Sequence, residues 1–164
     1  MIYIQSYSSP IGPYTITADG ENLTGIWRDR QKYYGKGVLL SEAVRKKLLV
    51  FDQARDWLDR YFAGREPDIL ELPLAPMGSK FCQSVWRELC KIPYGKTTTY
   101  GAIAKKIGCK SARAVGQAVG HNPISIIIPC HRVVGTNGSL TGYAGGLSIK
   151  IKLLELEGVT LTLP

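Results

Sequence analysis

Residues 126–134 read I-I-I-P-C-H-R-V-V. A cysteine, a histidine and an arginine stand between two apolar runs. A buried strand wants no cation, and a surface loop wants no isoleucines. Such a conflict between local pattern and local chemistry marks functional sites. A Cys130 thiolate would be the strongest nucleophile in the chain, and a neighbouring base or cation lowers a thiol's pKa. His131 is adjacent in sequence, but successive strand residues point to opposite faces. A turn after Pro129 or a bridging water has to connect the two. Arg132 adds positive potential or bonds loop carbonyls. The tripeptide alone suits a buried structural thiol beside a satisfied histidine equally well.

The rest of the 164 residues narrows the choice. Length allows one domain or two small ones. No window is long and apolar enough to span a membrane, and the first residues lack the pattern of a secretory signal. A cytoplasmic location is expected, or a nuclear one in a eukaryote. The four cysteines, Cys82, Cys90, Cys109 and Cys130, then read as free thiols. Zinc is not expected: there is no C-x-x-C pair, and no cysteine or histidine precedes Cys82. The formal charge of +8 is unevenly spread. Residues 1–80 carry 11 basic and 10 acidic side chains, net +1, and residues 81–164 carry 10 and 3, net +7. A polyanion such as nucleic acid is the natural partner of the second half, against the alternative of a basic surface that serves solubility.

The elements that must hold the trio follow from periodicity and breakers. Residues 3–7, 14–18 and 23–27 predict strands in a hairpin meander. Val44, Leu48, Phe51, Leu58 and Phe62 fall at helical spacing, so a helix is expected over residues 41–62 with Ser41 as its cap and Gly64 as its stop. A short strand is expected at residues 70–74. The P-L-A-P-M-G segment coincides with the charge shift, which sets domains at residues 1–76 and 77–164. In the second half, Ser79 caps a helix that ends at I-P-Y-G. Thr98 or Thr99 caps one that closes at Gly108, and Ser111 caps a short one running to Asn122. The last two helices, joined by a tight turn, fit a helix-turn-helix. The second of them has small residues at Ala112, Ala114, Gly116, Ala118 and Gly120. These suit close packing on another helix or close approach to a partner, and Arg113 rises among them as a cation able to enter a DNA groove. Residues 136–146 form a Gly-rich loop around Tyr143 without phosphate-loop spacing. Residues 147–157 predict a last helix, with Lys150 and Lys152 as solvated charges.

Five collinear stretches add a resemblance: V-W-R-E-L-C-K-I-P-Y-G-K-T-T-T-Y-G-A-I-A, A-R-A-V-G-Q-A-V-G-H-N-P-I, I-P-C-H-R-V-V, G-Y-A-G-G-L and L-E-G, which together cover residues 85–158. In that order they resemble the C-terminal domain of the O6-alkylguanine-DNA alkyltransferases, also called methylated-DNA–protein-cysteine methyltransferases. The N-terminal half is similar in shape and length only. The resemblance implies an α+β chain: an N-terminal antiparallel sheet with a helix, ribonuclease H-like, and a mostly helical C-terminal domain with a winged-helix or helix-turn-helix-like DNA-binding motif. It implies direct, single-turnover transfer of the alkyl group of O6-alkylguanine in duplex DNA to the protein's own Cys130, with base flipping and with O4-alkylthymine left open. His131 would be the base, reaching the thiol through water, and Glu157 its orienter. Asn122 would brace the turn between recognition helix and active-site strand, a buried strand expected of the isoleucines at 126–128 and ended by Pro129. Tyr100 would turn the target phosphate and hydrogen-bond the guanine, and Arg113 would replace the flipped base. Ser111, Ala112, Ala114, Gly116 and Gln117 would meet the minor groove, and Tyr100, Val133, Tyr143, Ala144 and Gly145 would line the pocket. Some members carry a serine hydroxyl where Ala144 stands, so alkyl-size preference stays open.

No cofactor or metal is expected, and the protein should act as a monomer. Two alternatives remain at this level. A non-catalytic alkyltransferase-like damage-binding protein would share the fold but lack the acceptor thiol. A thiol hydrolase or redox protein would turn over on Cys130 and His131 and leave the helix-turn-helix unexplained.

Overall fold

A computed structural model describes residues 1–36, 38–140 and 142–161. Two compact units divide the chain: Met1–Met77 with Pro123–Ile127, and Gly78–Asn122 with Ile128–Pro164. A single cut after residue 76 would put Pro123–Ile127 in the second unit. Instead the segment lies along the first unit's sheet. Ile26 N–H donates to the Pro123 carbonyl at 2.8 Å, and Ser125 N–H donates to the Ile26 carbonyl at 3.0 Å. Ile124 thereby bridges Ile26 in parallel, and its side chain is fully buried.

In the first unit, β1 (Tyr3–Ser9), β2 (Gly12–Ala18) and β3 (Leu23–Arg28) form the expected antiparallel meander. A two-residue segment, β4 (Val44–Arg45), adds in parallel to β1, giving the order β3-β2-β1-β4. β2 is central and alternates with period two. Tyr14, Ile16 and Ala18 take one face, while Thr15 and Thr17 take the other, also buried. The buried hydroxyls are satisfied, Thr15 donating to Asp29 at 2.7 Å and Thr17 pairing with Thr24 at 2.8 Å. Helix α1 spans Leu49–Phe62 and buries Val50, Phe51, Ala54, Trp57, Leu58 and Tyr61, one amphipathic stripe packed on β1 and β2.

α1 starts eight residues later than its periodicity suggests. Residues 40–42 make a 3-10 turn, and Val44 donates its N–H to the Ile2 carbonyl at 2.9 Å. Pairing with the sheet edge takes that backbone away from the helix. The strand expected at residues 70–74 is likewise a 3-10 turn, Ile69–Glu71, closed by an Asp68–Glu71 capping box and followed by one parallel bridge from Leu74 to Leu23.

The second unit is mostly helical. α2 (Lys80–Leu89) is capped by Ser79, α3 (Tyr100–Ile107) by Thr99 and α4 (Ala112–Gly120) by Ser111, each hydroxyl accepting a backbone N–H three residues on. Gly108, at φ +70°, ends α3, and the Cys109 N–H turns back to the Ala104 carbonyl at 2.8 Å. This makes α3-turn-α4 a helix-turn-helix. Trp86 of α2 pins it, donating its indole N–H to the Ala118 carbonyl at 2.9 Å. Two short strands, β5 (Thr98–Thr99) and β6 (Val133–Val134), pair in parallel, and α5 covers Leu147–Leu156.

The isoleucines before Pro129 are not a strand. Residues 125–127 form a turn, with Ile126 at φ +71° and the Ile127 N–H donating to the Ser125 carbonyl at 2.8 Å. A left-handed φ is costly for a β-branched residue, and burial of Ile124, Ile126, Ile127 and Ile128 is what holds it. Pro129 (φ −82°, ψ 66°) then makes an inverse γ-turn, closed by the Cys130 N–H on the Ile128 carbonyl at 2.8 Å.

The anchoring of α4 is testable. Trp86→Phe takes the indole donor from the Ala118 carbonyl, which keeps the His121 N–H at 3.2 Å, and should cost the second unit about 0.5–1.5 kcal/mol. Urea unfolding followed by α4 amide exchange checks it, and an unchanged midpoint would contradict the anchor.

Candidate active site

Cys130–Arg132 form a 3-10 turn whose three side chains are all buried. On a 3-10 turn successive side chains lie about a third of a turn apart, not on opposite faces as in a strand. Cys130 meets Asn122 and Tyr143, while His131 and Arg132 both reach one polar cluster. Glu157, just past α5, is its hub. Its carboxylate meets His131 Nε2 at 2.6 Å, and Arg132 donates from Nε at 2.8 Å and from Nη2 at 3.2 Å. The Gly95 N–H donates to the same carboxylate at 3.0 Å. Arg132 Nη1 donates to the Ile92 carbonyl at 2.7 Å, and its guanidinium lies over the Tyr94 ring at 5.7 Å. The I-P-Y-G break that ends α2 is thus a clamp on the cluster.

Burial pushes the Glu157 carboxyl up, but the hydrogen bonds and charges of His131 and Arg132 prevail and bring it down to about 2. Burial pushes His131 down, against the pull of Glu157, and keeps the imidazole neutral near pH 7. With Nε2–H donated to Glu157, the acceptor lone pair falls on Nδ1. Burial also pushes the Cys130 thiol up, partly offset by a hydrogen bond from Asn122, the positive charge of Lys150 and a hydrogen bond from Tyr143. Asn122 further donates to the Ile128 carbonyl at 2.8 Å, bracing the γ-turn that presents the thiol.

Lys150 departs from expectation. It is fully buried, donates from Nζ to the Val133 carbonyl at 2.6 Å, and is pushed down to about 8 by burial. Lys152 is exposed as expected. Sequence reasoning missed Lys150, although one signal was present: it lies between Ile149 and Leu153, on the stripe that α5 buries.

Tyr100 opens α3 directly after β5, and Thr98 and Thr99 pair with Val133 and Val134, which brings Tyr100 beside the strand that follows the trio. A methyl added at Gly116 would stand 3.6 Å from the Tyr100 ring, so α4 passes close to it. Ser111, Ala112, Arg113 and Gln117 are exposed on α4, and Ala114 and Gly116 are half-buried. Tyr143, Ala144 and Gly145 are half-buried in the Gly-rich loop, of which Thr141 lies outside the described residues. Tyr143 folds back over Gly145, where an added methyl would meet its ring at 2.7 Å. Among the described residues no group of three His, Cys, Asp or Glu is placed to hold a metal ion.

An α+β chain whose helix-turn-helix unit buries a thiol beside a histidine–carboxylate pair is a thiol-centred protein built around a nucleic-acid-binding motif. Residues 80–159 match the DNA binding domain of 6-O-methylguanine DNA methyltransferase, and residues 2–76 match its ribonuclease-like domain. The chain belongs to the O6-methylguanine DNA methyltransferase family. A methylated-DNA–protein-cysteine methyltransferase of Methanosarcina acetivorans is 47% identical over 158 residues, covering 96% of this chain and 99% of that protein. One from Haemophilus influenzae is 42% identical, covering 96% and 87%. The solved structure of Mycobacterium tuberculosis OGT in complex with DNA superposes with a TM-score of 0.83 at 44% identity, covering 94% of this chain and 92% of that one.

The hub carboxylate sets an acid limit. Its folded pKa of about 2 lies below its ordinary 4.5. Its stabilisation is therefore complete above pH 4.5 and is lost as pH falls toward 2. His131 acts in the same direction below its ordinary 6.5, because the unfolded chain takes up a proton that the buried ring refuses. Urea midpoints should fall between pH 6.5 and 2, and Glu157→Gln should start lower at pH 7 and flatten the limb below pH 4.5. Parallel profiles for the two proteins would remove Glu157 from that role.

Proposed function

We propose that the chain is a methylated-DNA–protein-cysteine methyltransferase that transfers the alkyl group of O6-alkylguanine in double-stranded DNA to its own Cys130, once per molecule. The observation that carries the reading is the buried Cys130 thiol, set beside the neutral His131 held by Glu157 and within the hydrogen bonds and charge of Asn122, Tyr143 and Lys150.

The reaction is an in-line displacement. The Cys130 sulfur forms a bond to the alkyl carbon as the bond from that carbon to guanine O6 breaks. The leaving electron pair goes to O6 and is shared with the ring. The thiol proton passes to His131 Nδ1, directly or through solvent, and then to guanine N1, so charge balances. Burial keeps the sulfur a thiol at rest, and a neutral base must take its proton during attack. Glu157 holds the ring in the tautomer that accepts at Nδ1, which is the orienting role of a third group in such relays. Arg132 and Gly95 keep Glu157 ionised and in place. Tyr100 donates toward the guanine as it gains negative charge. Thioethers are not hydrolysed, and no regenerating group is needed for a single turnover.

O6 lies inside the base stack, so the nucleotide must leave the duplex. α4 would lie in the minor groove along Ser111, Ala112, Ala114, Gly116 and Gln117, with the exposed Arg113 filling the vacated place. Val133, Tyr143, Ala144 and Gly145 would wall the pocket. The protein acts as a monomer in a reducing compartment. No described helix is long and apolar enough to cross a membrane.

Incubation with a duplex containing O6-methylguanine should place one methyl group on the Cys130 peptide, at no more than one per protein, as read by mass spectrometry. Cys130→Ser should abolish transfer and keep duplex binding. An active preparation that binds the duplex but leaves Cys130 unmodified would mean a non-catalytic damage-binding protein.

Lys150 gives a second test. Its charge lowers the Cys130 pKa against the effect of burial. Lys150→Met should move the thiol limb of the pH–rate profile upward and slow transfer near pH 7 by about tenfold for each pKa unit. A uniform loss of rate with an unmoved profile would assign Lys150 to structure alone.

A further inference from the structure

The first unit carries ten Lys+Arg and ten Asp+Glu, net zero, since residues 123–127 are uncharged. Four of those ten cations nevertheless gather on one open groove of about 430 Å3, lined by Gln5, Ser6, Arg45, Lys46, Lys47 and Arg55. No acidic residue lines it, and among the described residues no carboxylate pairs with any of the four. Asp52 and Asp59, on the same helix as Arg55, lie outside the lining, and Asp59 accepts the Tyr7 hydroxyl at 2.7 Å.

The groove is built by the fold. Arg55 of α1 donates to the Ser6 carbonyl of β1 at 2.9 Å, which fixes its guanidinium across the sheet edge. Gln5 donates to the Lys46 carbonyl at 2.8 Å, which ties the segment after β4 to the same strand. Lys46 Nζ lies over the Tyr3 ring at 5.3 Å. Gathering four like charges in a neutral unit costs stability unless an anion offsets it. Arg, Lys, Gln and Ser are also the side chains that contact backbone phosphates. The lining holds no aromatic or aliphatic anchor of the kind that dominates protein–protein contacts, which disfavours an acidic protein as occupant.

We propose that this groove binds the phosphodiester backbone of duplex DNA, as a contact surface of the first unit separate in its residues from the helix-turn-helix. The proposal rests on the chain being a DNA-binding protein, but not on alkyl transfer. The groove can read no sequence, so its contribution is affinity for any duplex and residence on it.

The test uses the full chain and an undamaged duplex, with affinity measured against salt. Each lost phosphate contact lowers the slope of log K on log salt by about 0.9. Lys46→Gln with Lys47→Gln, both exposed and structurally undemanding, should lower it by about 2, and adding Arg45→Gln by about one more. Arg65→Gln, which removes one charge from the same unit outside the groove, should leave it unchanged. Transfer from free O6-methylguanine base should be the same in all variants, so failure of the proposed reaction shows separately from failure of the groove. An unchanged slope in the groove variants, or an equal change per charge removed with Arg65→Gln, overturns the proposal. So does thermal stabilisation by inorganic phosphate that the groove variants abolish while their duplex binding persists, because that marks a site for a free anion.

Discussion

The buried carboxylate of Glu157 is the constraint on which the second unit's chemistry depends. A lone buried carboxylate would take up a proton or unfold its surroundings. This one is held by four hydrogen-bonding contacts, one from the His131 ring, two from Arg132 and one from the Gly95 backbone. Those partners come from two distant segments, the loop after α2 and the turn bearing the thiol, and Glu157 itself stands at the end of α5. The same bonds that satisfy the charge therefore fix the relative positions of the segments. Removing the carboxylate would leave Arg132 a buried cation without its counter-charge, and loss of one member of a buried pair costs more than the pair itself contributes.

The thiol is managed by opposed effects. Desolvation raises its pKa and keeps the proton on sulfur, while Asn122, Lys150 and Tyr143 all favour the anion. Desolvation prevails at rest, so an exposed oxidant or stray electrophile meets a thiol and not a thiolate. The three opposing groups matter once a base removes the proton, because they then stabilise charge in a site with little water. Lys150 shows how finely this is set. Buried and bonded to the Val133 carbonyl, it is itself pushed down to about 8, so its charge is present near neutral pH and fades soon above it.

Much of this was legible in the sequence, for reasons that differ by residue. The caps at Ser79, Thr99 and Ser111 and the stop at Gly108 are local chemistry, and local chemistry survives folding. The meander of β1 to β3 follows from period two and its breakers. The N-terminal turns of the expected first helix were misread because pairing of Val44 with the sheet edge is a long-range contact that periodicity cannot register. The isoleucines were misread in the same way. An apolar run of that length suits a buried strand, and only the surrounding core makes a turn with Ile126 at φ +71° tolerable. The roles of Glu157 and Asn122 came from collinear resemblance, since nothing in their spacing points to Cys130. Lys150 was undervalued because a charged residue is assumed to face solvent, whereas Arg132 bonds a loop carbonyl as expected, that of Ile92.

The small residues of α4 illustrate how a helix can be shaped for something outside the protein. Two readings were open for them, close packing inside or close approach outside, and the structure divides the face between the two. Ala118 is buried and takes the Trp86 indole on its carbonyl, so its size serves the interior. Gly116 leaves space beside the Tyr100 ring. At Gly120 an added methyl would meet nothing within 4 Å, and Ala112 is exposed. Among the described residues no contact requires glycine there, yet a helical glycine costs roughly 1 kcal/mol relative to alanine. That cost has no return inside the fold. It does have one if a DNA backbone must pass close to α4 while Arg113, also exposed, reaches beyond it. The helix is then less stable than it could be because its outer surface is left bare for a partner.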